Sequence, residues 1–193
     1  MKVYNFNQIS DTEYIEIAHA LQSGSLIIYP TETIYGIGCN ADIDSAVKSV
    51  FNVKKRLESK SFIYLFKDIE MLLKYASFQS EVEKTLVHKY WPGGMTIILK
   101  KNSLDGCVAC RISSHPFLKK LFLYIDFPLI STSANFSDEP YNPDVDNIKL
   151  KFSDAVDILI QDDALKSVVS STIVKVVSDK VEIVREGLIK IEV

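Results

Sequence analysis

Apolar residues recur along this chain with two different periods, and the two alternate from one end to the other. Ser10 followed three residues later by Glu13 has the form of a capping box, which predicts a helix opening at Ser10 and running to about Ser23. The short apolar run 26–29 then predicts a buried strand. A second helix is predicted over 43–53, where Ala46, Val47, Val50 and Phe51 fall at helical spacing and should face a sheet. Further along, 62–66 reads as a strand, 69–75 and 81–90 as helices, and Trp91-Pro92-Gly93-Gly94 as a turn into a strand over 95–100. Another strand is predicted over 107–111, a helix from Pro116 to about Tyr124, and a short strand at 129–130. Residues 138–147, with Pro140 and Pro143, form the longest turn-rich stretch and are predicted to be a mobile loop near a bound ligand. A strand predicted at 173–177 and one more short strand before Arg185 complete the pattern. Such alternation predicts an α/β or α+β layered fold. With 193 residues, 47% of them hydrophobic, the chain can bury one substantial core, so a single domain over 1–193 is expected.

Several apolar runs end in polar residues that alternate, an arrangement that would line up side chains on one face of an extended chain. Pro30-Thr31-Glu32-Thr33-Ile34-Tyr35-Gly36 would put Thr31, Thr33 and Tyr35 on one side, while Gly36 and Gly38 permit close backbone approach. Ser131-Thr132-Ser133-Ala134-Asn135 would do the same for Ser131, Ser133 and Asn135. Ser170-Ser171-Thr172 leads into the strand at 173–177, and Arg185 follows the next one. These hydroxyls and amides suit a polar ligand, although Ser, Thr and Asn serve equally as turn residues that satisfy their own backbones.

Charge sharpens the picture at one place. The net charge is only -3, yet Lys54-Lys55-Arg56-Leu57-Glu58-Ser59-Lys60 gathers four cations in seven residues. On a helix Lys54 and Arg56 would point roughly 200° apart, so both reach one ligand only if the helix ends here. Arginine supplies a planar fork and lysine a mobile point charge, and together they suit phosphate. A basic helix end can also be a solvated surface that complements the helix dipole.

Taken in order, Pro30-Thr31-x-Thr33-x-Tyr35-Gly36, Lys54-x-Arg56-x-x-x-Lys60, Trp91-Pro92-Gly93, Arg111 with His115-Pro116, Ser131-Thr132-Ser133-Ala134-Asn135-x-Ser137, Ser171-Thr172 and Arg185 closely resemble the YrdC-like (TsaC-type) threonylcarbamoyl-AMP synthases. The resemblance runs from about residue 8 to residue 187. It implies an open, twisted mixed β-sheet flanked by helices with a concave basic groove, in the short single-domain form of the family. It also implies an ATP-dependent nucleotidyltransferase that joins L-threonine, bicarbonate and ATP into threonylcarbamoyl-AMP and pyrophosphate, for N6-threonylcarbamoyladenosine (t6A) modification of tRNA. Carried over by position, Thr33, Arg111, Ser131 and Ser171 would bind threonine. Arg56, Lys60, Ser133, Asn135 and Arg185 would bind ATP, and Lys54 and Arg56 are the candidate catalytic cations. The implied cofactor is Mg²⁺ carried on the ATP phosphates. A downstream threonylcarbamoyl-transferase complex is the implied partner, and tRNA is a candidate one. The sequence departs from the family's usual residues at Leu57, Ser61, Gly94, Ser113, Asp138 and Ser170.

The chemistry agrees with these residue types. A threonine carbamate can displace pyrophosphate from the α-phosphate with no protein nucleophile, so the work falls to positioning and charge stabilisation by Arg, Lys and hydrated Mg²⁺. Neither a catalytic triad nor a Walker A loop is needed, and no Walker A sequence occurs. No protein metal site is expected. Cys107 and Cys110 have zinc-like spacing but fall on a predicted strand, where residues three apart face opposite ways. Cys39 reads as a reduced core or site-lining thiol, His19, His88 and His115 as structural or surface residues, and Trp91 as a turn anchor. No apolar run reaches 18 residues and the N-terminus lacks a signal-peptide pattern, so a cytoplasmic protein without membrane association is expected. A rival reading is a noncatalytic module that binds tRNA or double-stranded RNA, which the acidic balance disfavours. Another rival is a carbamoyl-adenylate-forming relative, a type normally embedded in longer chains.

Overall fold

The computed structural model describes residues 1–55, 61–103, 106–137 and 139–192. Its helices are α1 (Asp11–Gln22), α2 (Asp44–Lys54), α3 (Ile69–Leu73), α4 (Glu81–Tyr90), α5 (Pro116–Leu121) and α6 (Val145–Phe152). The strands are β1 (Lys2–Asn5), β2 (Ile27–Tyr29), β3 (Gly36–Gly38), β4 (Ile63–Leu65), β5 (Ala76–Ser77), β6 (Met95–Lys101), β7 (Cys107–Arg111), β8 (Leu129–Ser133), β9 (Ile158–Gln161), β10 (Thr172–Val177) and β11 (Lys180–Arg185).

Local chemistry explains most helix ends. Ser10 accepts the Glu13 amide and Glu13 accepts the Ser10 amide, so the capping box predicted for α1 is present. Ser80 and Glu83 build a second one at α4. The second helix stops at Lys54 because Lys55 turns to a left-handed conformation with φ 50°. That termination meets the geometric condition that the cation spacing imposed.

Among the described residues the strands join one twisted mixed sheet in the order β1-β9-β2-β3-β8-β4-β7-β6-β10-β11, with β5 beside β6. The pairs β1/β9, β9/β2, β4/β7 and β6/β10 are parallel and the others antiparallel, so β1, β9 and β2 form a parallel block at one edge. Strand alternation feeds two cores. Ile27, Tyr29, Leu129, Ile158 and Ile160 enter the larger one, under α1, α3, α4 and α5, whereas Ile28, Ile130 and Leu159 enter the other with Ala46 and Val50 of α2 and Ile148 and Phe152 of α6. Val47 and Phe51 pack partly buried against that second core, as their spacing required.

The structure corrects the sequence reading in places. The loop predicted over 138–147 ends early, since Asp144 accepts the amides of Asp146 and Asn147 and starts α6, whose Ile148 and Phe152 anchor it to the core. Strands β1, β3, β5 and β9 were not anticipated. In β3 the sequence Gly-Ile-Gly carries a turn signal, but here glycine is needed because β8 crosses so closely. A Cβ on Gly38 would lie 2.0 Å from the Ile130 carbonyl oxygen. The segment 30–36 is also no extended run. Thr31 Oγ1 accepts the amides of Thr33 and Ile34 and donates to the Ile34 carbonyl, folding the chain into a tight hydroxyl-stabilised turn.

Candidate active site

Ile63, Ile98, Ala109 and Ile173 line a cavity of about 420 Å³. Its walls carry Thr33, Arg111, Ser131, Ser133, Ser171 and Arg185, so six of the residues singled out from sequence converge on one space. Pairing brings them there. Gly36 lies opposite Ser133, Ile63 opposite Ser131, and Leu65 opposite Arg111, so strands distant in sequence present their polar ends together.

Arg111 is buried and held from several sides. Its Nε donates to the Gly93 carbonyl at 3.0 Å and its Nη2 to Thr33 Oγ1 at 3.1 Å. Glu32 Oε1 lies 2.8 Å from Nη2, an ion pair off the hydrogen-bonding direction, while Glu32 Oε2 accepts from the Ser113 hydroxyl. Burial opposes ionisation of Glu32, but the Arg111 charge and the Ser113 hydroxyl outweigh it and hold the carboxyl below its ordinary range. The Nη1 group of Arg111 has no protein partner among the described residues, which gives the cavity two N–H donors in a fixed plane. Because Thr31 gives its proton to the Ile34 carbonyl at 2.7 Å, Thr33 donates to Thr31 at 2.8 Å and keeps acceptor capacity.

On the opposite wall, Arg185 donates from Nε and Nη2 to the Ser171 carbonyl at 3.1 and 2.8 Å, and from Nη2 to Ser171 Oγ at 3.0 Å. Ser171 Oγ also sits 2.9 Å from Thr96 Oγ1. Tyr141, on the loop before α6, forms a further wall with its hydroxyl accepting the Tyr35 amide at 2.9 Å. Tyr35 borders the cavity together with Thr31 and Thr33. Its ring enters the second core and its hydroxyl donates to the Asp162 carbonyl.

Lys54 and Asn135 are not among the side chains lining the cavity as described. Lys54 is 1% exposed. Its Nζ donates to the carbonyls of Ser133 and Asn135 and to Asn135 Oδ1, the last at 3.1 Å. In return Ser137 donates from its amide and hydroxyl to the Lys54 carbonyl at 3.1 and 2.9 Å. This lysine therefore stitches the end of α2 to the turn after β8, fixing Ser133 relative to the basic segment. Lys54→Met should lower the unfolding free energy by about 1–3 kcal/mol, because buried carbonyls lose their donor while side-chain length is kept. A urea midpoint equal to that of the unaltered protein would show that those carbonyls are satisfied otherwise. Arg56 and Lys60, both predicted to contact nucleotide, lie outside the described residues.

Glu32, Thr96, Ser113 and Tyr141 escaped the sequence reading. Glu32 left a usable signal, since an acidic residue in a segment that must be buried needs a cationic partner. Ser113 was noted only as a departure from the family pattern, yet it orients that carboxylate. The remaining candidates behave as structural residues. His115 accepts the Phe117 amide at Nδ1, so its neutral ring carries the proton on Nε2 and donates to Asp162 Oδ2 at 3.2 Å. Burial lowers its pKa against the opposing pull of Asp162. Trp91 donates from Nε1 to the Met95 carbonyl at 2.6 Å, anchoring the turn. Cys107 is exposed and Cys110 buried on opposite faces of β7, and among the described residues no group of His, Cys, Asp and Glu is placed to hold a metal. No helix is long and apolar enough to cross a membrane, among the described residues.

Comparison with known proteins adds an independent line. The family model Sua5_yciO_yrdC, described as "Telomere recombination", matches residues 19–187. A Methanocaldococcus jannaschii protein named provisionally as a threonylcarbamoyl-AMP synthase is 32% identical over 199 residues, which span 100% of this chain and 94% of that protein. The threonylcarbamoyl-AMP synthase of Psychromonas ingrahamii is 35% identical over 139 residues, covering 67% of this chain and 73% of its own. Among solved structures, P. abyssi Sua5 complexed with L-threonine superposes with a TM-score of 0.88 at 26% identity. That match takes in 97% of this chain, which spans 58% of the Sua5 chain's length. The fold, the order of the motifs and these relatives agree: the chain belongs to the Sua5/YciO/YrdC family.

Proposed function

We propose that this protein is a threonylcarbamoyl-AMP synthase, a nucleotidyltransferase that makes threonylcarbamoyl-AMP and pyrophosphate from L-threonine, bicarbonate and ATP. The observation that carries the reading is the single cavity into which Thr33, Arg111, Ser131 and Ser171 project together with Ser133 and Arg185. One guanidinium with neighbouring hydroxyls suits an amino acid with a hydroxyl side chain. A second guanidinium with Ser133 suits nucleotide oxygens, and Arg56 and Lys60 would extend that set along the phosphates. Lys54 and Asn135 serve the site by holding the turn that carries Ser133.

In this reading Arg111 Nη1 takes the threonine carboxylate and Thr33 accepts from the substrate. The threonine amine adds to carbon dioxide with loss of a proton to solvent, or to bicarbonate with loss of water, and the resulting carbamate oxygen attacks the α-phosphorus as the bond to the departing pyrophosphate breaks. The described lining contains no carboxylate, so Mg²⁺ would be held by ATP phosphates, water and hydroxyls. When bound it neutralises phosphate charge. Every other contribution is positioning by protein groups that change no covalent bond. The product would pass to a threonylcarbamoyl-transferase complex for t6A modification of tRNA.

Pyrophosphate release tests this directly. It should require threonine and bicarbonate together and should not require tRNA. Serine should replace threonine poorly, since one missing methyl in a fitted pocket costs about 1–3 kcal/mol. Release that ignores threonine, or appears only when RNA is added, would overturn the reading in favour of an RNA-binding module.

A further inference from the structure

A second cavity, of about 490 Å³, opens beside the same turn that steadies Arg111, and nothing in the proposed reaction uses it. Its walls are apolar, with Phe78, Trp91 and Pro92 facing Ile69, Val87 and Ile112. Its rim carries two cations. Lys67 and Lys84 line it with His88 against a single acid, Asp68, whose carboxylate caps α3 through the Met71 amide at 2.8 Å. Among the described residues Lys84 pairs only with the exposed Glu81, a contact easily exchanged for another anion. A recess of this volume with aromatic walls and a basic rim has the size of a small-molecule site. It is too small for a helix or a folded partner. The charge complement of the rim is one anionic group, and the complement of its walls is a flat apolar body.

Its position gives such a ligand something to act on. Arg111 and Ile112 are neighbours at the end of β7, one side chain lining the first cavity and the other the second. The turn after α4 links them again. Trp91 and Pro92 line the second cavity, while the next residue, Gly93, accepts from Arg111 Nε at 3.0 Å and donates its amide to the Ile112 carbonyl at 2.8 Å. A ligand in the second cavity would therefore contact the same turn and strand end whose backbone orients the guanidinium.

We propose that this cavity is a binding site for a small planar apolar molecule bearing one anionic group, and that its occupancy alters threonine binding through the Trp91–Gly93 turn. Binding stands independently of the proposed reaction; the effect on threonine rests on it. Anilinonaphthalene sulfonate, an aromatic anion whose fluorescence rises in apolar surroundings, is the probe. With the first cavity saturated by ATP and threonine, the full chain should still bind one equivalent. The rim variant Lys67→Glu/Lys84→Glu should weaken binding at least about ten-fold, the loss expected for charge-assisted contacts. His88→Trp, which adds bulk at an exposed lining position and leaves the core alone, should weaken it further. In the pyrophosphate assay the bound probe should shift the threonine KM while the ATP KM stays put. Probe affinity that falls without a plateau as ATP and threonine are raised, or that stays within about two-fold of the unaltered protein in both variants, would overturn the site, whereas a limited, saturating change is the coupling itself. A threonine KM unmoved at saturating probe would overturn the coupling. Failure of all pyrophosphate release, with binding intact, would count against the proposed reaction and not against the cavity.

Discussion

Replacing Arg111 by lysine is expected to raise the threonine concentration for half-maximal pyrophosphate release roughly 10- to 150-fold, corresponding to loss of about 1.5–3 kcal/mol from charge-assisted hydrogen bonds. The reason lies in how many contacts one guanidinium makes. Arg111 spans the Gly93 carbonyl, Thr33 Oγ1 and the Glu32 carboxylate while still offering Nη1 to the cavity. A lysine ammonium is a point on a flexible stem and cannot serve the protein partners and a planar carboxylate at once. Saturation by ATP should stay within about two-fold, because the nucleotide groups lie on other elements. Equal threonine saturation in Arg111→Lys and the unaltered enzyme would remove Arg111 from this role. The Glu32 pairing adds a pH signature. Its folded carboxyl titrates below its unfolded value, so its contribution is fully present above the ordinary carboxylate range and is lost only as pH falls through the depressed folded value.

Gly38→Ala is expected to destabilise the protein by at least about 3 kcal/mol, at the upper end of overpacking effects. The added methyl would sit 2.0 Å from the Ile130 carbonyl oxygen and 3.0 Å from the Tyr29 hydroxyl. Neither neighbour can yield cheaply. Ile130 is on β8, paired to β3 in the middle of the sheet, and Tyr29 is fully buried on β2 on the other side. Separation of β3 from β8 would also displace Ser131 and Ser133, so residual folded protein should lose substrate binding as well. Gly36→Ala is the milder comparison, since its Cβ would meet side chains only, the Ser131 hydroxyl at 2.9 Å and the Tyr29 ring at 3.3 Å. A urea midpoint for Gly38→Ala no lower than that of Gly36→Ala would contradict this account.

Helices were the most legible part of the chain. In α1 and α4 the polar cap, the apolar spacing and the exit are all encoded within about a dozen residues, so local chemistry suffices. The fold class and family followed as well, because an ordered set of motifs survives without knowledge of distances. Their spatial meaning did not. Thr33, Arg111, Ser131 and Ser171 stand in different elements, and only the pairing of β3 with β8, β8 with β4, β4 with β7, β7 with β6 and β6 with β10 decides that they share a cavity. The same dependence on long-range partners hid β3, whose glycines answer to a crossing strand, and the bond from Lys54 to a turn some eighty residues later. Glu32 shows the limit most clearly. A carboxylate beside a threonine in sequence has no fixed meaning until burial removes water and leaves Arg111 and Ser113 as the groups that can stabilise its charge. Periodicity and capping are properties of neighbours along the chain, and sequence determined those. Which strand ends meet, and which charges lose their water, are properties of the assembled sheet, and only the tertiary structure decided them.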